Sequence, residues 1–236
     1  MEYQRTAYQA IINDTNGYPA EFADIRLQAF LYLAYTYPQT GRKLLQALCS
    51  VPALAPEQAG KYPVAFALRA SIENNLARIY LNKNIRPIAE LHFRQSLYLL
   101  RMVATYHPDW YIDKYMLAAE ILANLYLQWF EYRKATSVFR EMKTMARYVT
   151  DNAKRNEYLD TAINGLNTTG TAFNNSYMHN EALELYLEAM NDFWQLSEAI
   201  PAHLNDVAML QSNIGNHYAM NGEYGKACEI LDKALG

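Results

Sequence analysis

Four pairs of polar side chains stand four residues apart on successive stretches of the chain: Asn74 and Arg78, Glu120 and Asn124, Asn167 and Thr171, Ser212 and Asn216. On a helix, residues at that spacing share one face, so each pair presents two polar groups side by side. Around them lie Asn75, Gln128, Asn164, Asn174, Asn175 and Asn213. An asparagine amide donates and accepts hydrogen bonds at once, which suits the alternating N–H and C=O groups of an extended peptide. Asparagine is a mediocre helix former, so its recurrence on helical stretches calls for a reason other than folding. A water-filled polar face without a ligand is the competing explanation.

Other chemistries lack their residues. The five histidines (His92, His107, His179, His203, His217) are scattered, with none paired at three or four residues on a helix, so no metal site is expected. Cys49 and Cys228 match no disulfide framework or metal spacing and are expected to be reduced core thiols. No glycine-rich loop leads into Lys-Ser or Lys-Thr, no dinucleotide fingerprint follows a strand, and no Gly-x-Ser-x-Gly elbow occurs. The expectation is a protein with no catalytic residues and no cofactor.

The formal net charge of −3 creates no field attractive to phosphate, which argues against nucleic acid and anionic membrane as partners. The chain opens without a basic start and apolar core, and no apolar run approaches a membrane span. A cytoplasmic protein, or a soluble portion of a longer one, is expected. Arg133, Arg140 and Arg147 recur every seven residues, with Lys134 and Lys143 nearby. They form either a docking stripe for an acidic partner or a solvated outer face interrupted by Glu131 and Glu141. The aromatic runs WYIDKYM and YLQWFEY read mainly as core, and His107, beside Pro108, as a helix-end residue favourable to the dipole.

The elements that must position these groups are helices. Only nine glycines and eight prolines occur in 236 residues, too few for the many turns of a β-rich chain. Breakers fall at Pro38, at Pro52, Pro56 and Pro63, at Pro108, from Asn164 to Gly170, at Pro201, and at Asn221 with Gly222. Between them apolar residues recur every three or four positions, giving roughly ten amphipathic helices.

The segments share a register. A small residue on a first helix (Ala77, Ala123, Gly170, Gly215) precedes by twelve an alanine on a second (Ala89, Ala135, Ala182, Ala227). An aromatic follows the first small residue by three (Tyr80, Tyr126, Phe173, Tyr218), and a large apolar side chain follows the alanine by four (Phe93, Phe139, Tyr186, Leu231). Antiparallel helices approach closely only where small side chains face each other and large neighbours fill the space beside them.

These residues resemble the tetratricopeptide repeat family. The carboxy-terminal unit matches best, with Ile214, Gly215, Tyr218, Gly222, Tyr224, Ala227, Leu231, Ala234 and Leu235 each of the type the motif expects. The third unit, with Gly170, Phe173, Ala182, Tyr186 and Ala189, is nearly as good. The alanines of the second helices are 46, 47 and 45 residues apart, against a usual period near 34, so the helices must be longer. Met142 and Thr169 depart from the motif, and only the last unit keeps its turn glycine. The resemblance implies an all-α, right-handed solenoid of antiparallel helical hairpins. Residues 1–62 would form divergent helices and a proline-rich connection, and 63–236 one continuous body of units at about 63–107, 109–150, 152–199 and 201–236.

In this family first helices line a concave groove, so the resemblance places Asn74, Asn75, Arg78, Asn124, Gln128, Asn164, Asn167, Thr171, Asn174, Asn213 and Asn216 along it as candidate contacts for a peptide or partner protein. The family's lysine clamp for carboxy-terminal carboxylates is missing, which disfavours chaperone tails. The expected function is a non-enzymatic protein- or peptide-interaction module. The alternatives are the ligand-sensing portion of a bacterial regulator and an enzyme on a helical scaffold. After the last hairpin Leu231 and Leu235 leave an apolar flank, so the chain is expected to continue in a longer polypeptide or to meet another subunit there.

Overall fold

The computed structural model describes residues 55–235 together with seven helical positions nearer the amino terminus: Ala7, Ala10, Ile11, Ile25, Arg26, Gln28 and Ala29. Cys49 and the breakers Pro38 and Pro52 lie outside the described residues. The described part of 55–235 is all-α: α1 (Pro63–Asn82), α2 (Arg86–Tyr106), α3 (Pro108–Gln128), α4 (Tyr132–Ala146), α5 (Asn152–Asn175), α6 (His179–Ser197), α7 (Leu204–Met220) and α8 (Tyr224–Leu235). Short 3₁₀ turns at Pro56–Gln58 and Pro201–His203 precede α1 and α7. The chain divides into two compact units, Met1–Ala118 and Ala119–Gly236, with the division inside α3.

Prolines start helices here. Pro63 and Pro108 occupy the first position of α1 and α3, where the missing N–H breaks no bond. Asp151 caps α5 by accepting from the Lys154 amide at 3.1 Å. In the first unit α1 packs on α2, and His107, at the carboxy-terminal cap of α2, donates from Nε2 to the Gly60 carbonyl at 3.0 Å. In the second unit α5 packs on α6 and α7 on α8, while α4 lies against α5 and α6 against α7. Consecutive helices thus pair as hairpins, and the hairpins stack.

Each hairpin closes with the same turn. The amides of Ile85, Glu131, Met178 and Glu223 donate to the carbonyls of Tyr80, Tyr126, Phe173 and Tyr218 at 2.9, 2.8, 3.0 and 2.9 Å, the long bond of a Schellman motif. The residue before each donor is left-handed: Asn84 (φ 57°), Phe130 (62°), Tyr177 (61°) and Gly222 (77°). Only the last is the glycine that this conformation favours. A side chain there costs roughly 1–2 kcal/mol, so the three-residue connection and its bonds override local preference at Phe130 and Tyr177.

The core follows the small-and-large register. Ala77, Ala123, Ala89, Ala135 and Ala182 are fully buried, as are Phe93, Phe139 and Tyr186 to within a few per cent. A Cβ on Gly170 would stand 2.9 Å from the Tyr186 ring and 3.4 Å from the Ala182 carbonyl oxygen; one on Gly215 would stand 2.6 Å from Leu231. The stretch from Asn164 to Gly170 is not a break. It lies inside α5, where Gly165 admits the Phe139 ring of the neighbouring hairpin to 2.2 Å of its would-be Cβ, and the buried Thr169 hydroxyl donates back to the Gly165 carbonyl at 2.7 Å. Glycine here serves interhelical packing.

Two further expectations are corrected. Cys228 is exposed on α8 instead of sitting in the core, because Ala227 takes the buried position beside it. The aromatic runs are only partly core: Tyr111, Tyr115 and Tyr126 are buried, but Trp110 is 72% and Phe130 77% exposed.

Gly165→Ala should therefore destabilise the chain by about 1–3 kcal/mol in urea unfolding, despite alanine's better helix propensity, because the Phe139 ring cannot yield the space. Gly225→Ala on α8, where a Cβ meets nothing within 4 Å, should stabilise by up to about 1 kcal/mol. Equal effects at both sites would contradict the packing role.

Candidate functional site

The paired polar residues divide in the same way on every first helix. Asn74, Glu120, Asn167 and Ser212 are half-buried, whereas Arg78, Asn124, Thr171 and Asn216 are exposed. In the first unit Asn74, Asn75 and Arg78 lie on α1, with Asn75 donating to the Ser71 carbonyl at 2.8 Å. In the second unit Asn124 and Gln128 end α3, Asn164, Asn167, Thr171 and Asn174 run along α5, and Asn213 and Asn216 lie on α7.

Several of these amides already have partners within their own helix or hairpin. Asn164 donates to Asp160 Oδ1 at 2.9 Å, and His179 Nδ1 donates to Asn174 Oδ1 at 2.9 Å. The Thr171 hydroxyl donates to the Asn167 carbonyl at 3.2 Å and accepts from the Tyr186 hydroxyl at 3.3 Å. Asn167 differs from them: its Oδ1 is buried with no hydrogen-bond partner. A buried acceptor left without a donor costs about 1–3 kcal/mol, which marks this position on α5 as one that a donor would stabilise.

The cationic row on α4 is neither a free docking stripe nor simply solvated. Arg133, Arg140 and Lys143 find partners on α6, one repeat further along, while Lys134 pairs with Glu131 at 3.8 Å. Arg133 Nη2 meets Glu181 Oε1 at 3.0 Å, and Arg140 meets Glu184 at 2.9 Å and Glu188 at 2.7 Å. Lys143 meets Glu188 at 2.9 Å and also pairs with Asp192. Burial alone would raise the Glu188 carboxyl, but the hydrogen bonds from Arg140 and Lys143 outweigh it and hold the group below its ordinary value. Hydrogen bonding to Glu188 in turn raises the Arg140 guanidinium, against the opposing effect of burial. Beneath the first rungs lies a cleft of about 270 Å³ lined by Arg133, Thr136, Arg140, Phe173, Glu181, Glu184 and Leu185.

Histidine pairs were not legible from spacing. Glu73 on α1 is 4% exposed, and its Oε2 lies 2.6 Å from Nδ1 of His92 on α2, whose ring stacks on Tyr80 at 5.5 Å. The same register holds Ala119 with Val138 and Leu166 with Leu185 in later hairpins, all buried and apolar. On the second unit His203 Nδ1 lies 2.8 Å from Asp206 and 3.7 Å from Asp160. Burial raises the Asp160 carboxyl, opposed by the charge of His203. His217, 6.3 Å from the His179 ring, is lowered by burial and then by that neighbour. Among the described residues no group of three His, Cys, Asp or Glu is placed to hold a metal, and no helix is long and apolar enough to cross a membrane.

Solved structures of other proteins align with this chain at low identity. The S. pombe nuclear import adaptor Nro1 superposes with a TM-score of 0.50 at 13% identity, over 92% of this chain and 79% of that one. BtubC (BKLC) from P. vanneervenii aligns at 15% identity with a TM-score of 0.42, over 99% and 89%. A kinesin light chain-like protein of P. anserina with nearly identical TPR-like repeats aligns at 17% identity with a TM-score of 0.35, over 91% and 95%. No family model and no curated protein matches the sequence. With Nro1 the likeness is one of fold alone: consecutive antiparallel helices packed as hairpins.

Because its carboxyl is held below 4.5, Glu188 contributes stability that is complete above that pH and is lost as the pH falls through the lower folded value. Thermal melts of the unaltered chain and Glu188→Gln should differ by up to about 1 kcal/mol at pH 7, the scale of a partly solvated network, and converge as the pH falls through the lowered value of Glu188. A gap that persists in acid would contradict the pairing. Glu73→Ala, which leaves His92 without its partner, should cost about 2–3 kcal/mol in urea unfolding. Glu73→Leu with His92→Leu, which copies Leu166 and Leu185, should recover most of that loss.

Proposed function

We propose that this chain is a non-enzymatic protein-interaction scaffold that holds an extended peptide or partner segment on the polar face of its first helices. The observation that carries this reading is the repeated pairing of a half-buried with an exposed polar residue, at one register on every first helix. In the second unit the contacts would be Asn124 and Gln128, then Asn164, Asn167, Thr171 and Asn174, then Asn213 and Asn216. In the first unit Asn74, Asn75 and Arg78 repeat the register.

Amides suit such a segment because each offers a donor and an acceptor to a backbone whose own groups alternate. The Oδ1 of Asn167 is buried without a donor as it stands, and turning the amide outward to a peptide N–H would supply one. The exposed Asn124 and Asn216 cost the fold little to keep and little to remove.

Asn124→Ala, Asn167→Ala and Asn216→Ala combined should leave helicity and melting nearly unchanged. Capture of partner proteins by the immobilised chain should weaken by 1 kcal/mol or more, about the scale of one lost hydrogen bond. Capture that survives the triple substitution intact refutes the polar-face reading.

A further inference from the structure

The cleft between α4 and α6 shares no residue with the polar-face set, and its lining has a chemical signature of its own. Its base is Thr136, Phe173 and Leu185, all buried. The Thr136 hydroxyl is turned back to the Tyr132 carbonyl at 3.0 Å, so it presents its methyl group as a largely apolar neighbour to the ring and the leucine. Arg133 and Arg140 bound the cleft from α4, and Glu181 and Glu184 from α6. The space exists because the cationic row has a gap: Thr136 and Ser137 stand between the two arginines, and neither is long enough to fill it.

Both charges are present with bonding capacity to spare. Glu188 grips Arg140 through Nε at 2.9 Å and Nη2 at 2.7 Å, which fixes the guanidinium and leaves Glu184 as a second acceptor on Nη2. The Glu184 side chain is 68% exposed, so its pair with Arg140 contributes little and exchanges at small cost. Arg133, 78% exposed, is bonded through Nη2 alone. Nη1 of Arg133 and Arg140 and Oε2 of Glu184 take part in none of these pairs, and Glu181 accepts from its own backbone amide as well as from Arg133. A guanidinium fork is the side chain best matched to a carboxylate, and a free carboxylate pair accepts readily from an ammonium.

We propose that this cleft binds a small zwitterion, a free amino acid with an apolar side chain. Its carboxylate bonds to Arg140 and Arg133, its ammonium to Glu181 and Glu184, and its side chain rests on Phe173 and Leu185. The volume, about 270 Å³, corresponds to about nine waters and sits below the usual range for drug-sized ligands, which favours a ligand of this size. Charge complementarity selects the class: a zwitterion addresses both the guanidiniums and the carboxylates and leaves the paired charges balanced, which an anion or a cation alone does not.

The test is calorimetric titration of the full chain with L-leucine and L-phenylalanine, beside leucinamide, 4-methylpentanoate and glycine, which lack respectively the carboxylate, the ammonium and the side chain. The two amino acids should bind saturably, with Kd in the millimolar range or tighter, and each truncated analogue should bind at least about tenfold more weakly. Arg140→Gln should abolish the heat, while Arg147→Gln, an exposed member of the same row outside the cleft, should not. No saturable heat up to about 10 mM, or equal heats from leucine, leucinamide and glycine, overturns the proposal. Should Arg140→Gln not fold, the analogue series on the unaltered chain decides alone. None of these residues belongs to the polar face, so either outcome is separable from the fate of the peptide-binding reading.

Discussion

Everything in this structure depends on how closely two helices of a hairpin can approach. Gly170 lets the Tyr186 ring lie where a methyl group would stand, and Gly215 does the same for Leu231. That contact fixes the rotation of each helix about its own axis. Once the small residue is turned inward, the position three before it is half-buried and the position one after it faces water, because helical geometry leaves no other choice. The polar pairs are thus positioned by packing that none of them takes part in.

Charge links hairpins where packing links helices. The ion pairs of the second unit join residues about one repeat apart, Arg140 to Glu188 at a separation of 48 among them. Such pairs contribute modestly one at a time, but they extend in a row whose spacing matches only when two second helices lie alongside at a set height. They add directionality to a stack that apolar contact alone would let slide. At Gly165 the same two hairpins meet through an aromatic ring, so the interface has both a charged edge and a close-packed interior.

The fold was legible because one register recurred four times, and small residues at matching places have few explanations besides helix approach. Boundaries were harder. The Asn164–Gly170 stretch has the composition of a loop, yet it is helix, because Gly165 and Gly170 each receive a ring from another helix and no local rule reveals that. The arginine row was visible in sequence. Its partnership with Glu181, Glu184 and Glu188 was not, since it requires knowing that residues one period apart become neighbours. Glu73 and His92 were hidden for a related reason: nineteen residues separate them, and only the hairpin turn brings them to 2.6 Å. The candidate groove residues could be placed on their helices from sequence, but the lone buried acceptor of Asn167 depends on side-chain surroundings that the pattern does not encode.

The three-residue turns bear on folding kinetics. Each closes a hairpin whose stabilising contacts lie within a few dozen residues, so little loop entropy stands between an open chain and its first tertiary contact. A left-handed Phe130 or Tyr177 slows nothing once the turn exists, but it raises the barrier to nucleating there relative to the turn at Gly222. The hairpin of α7 and α8 therefore closes its turn with the least local strain in the second unit.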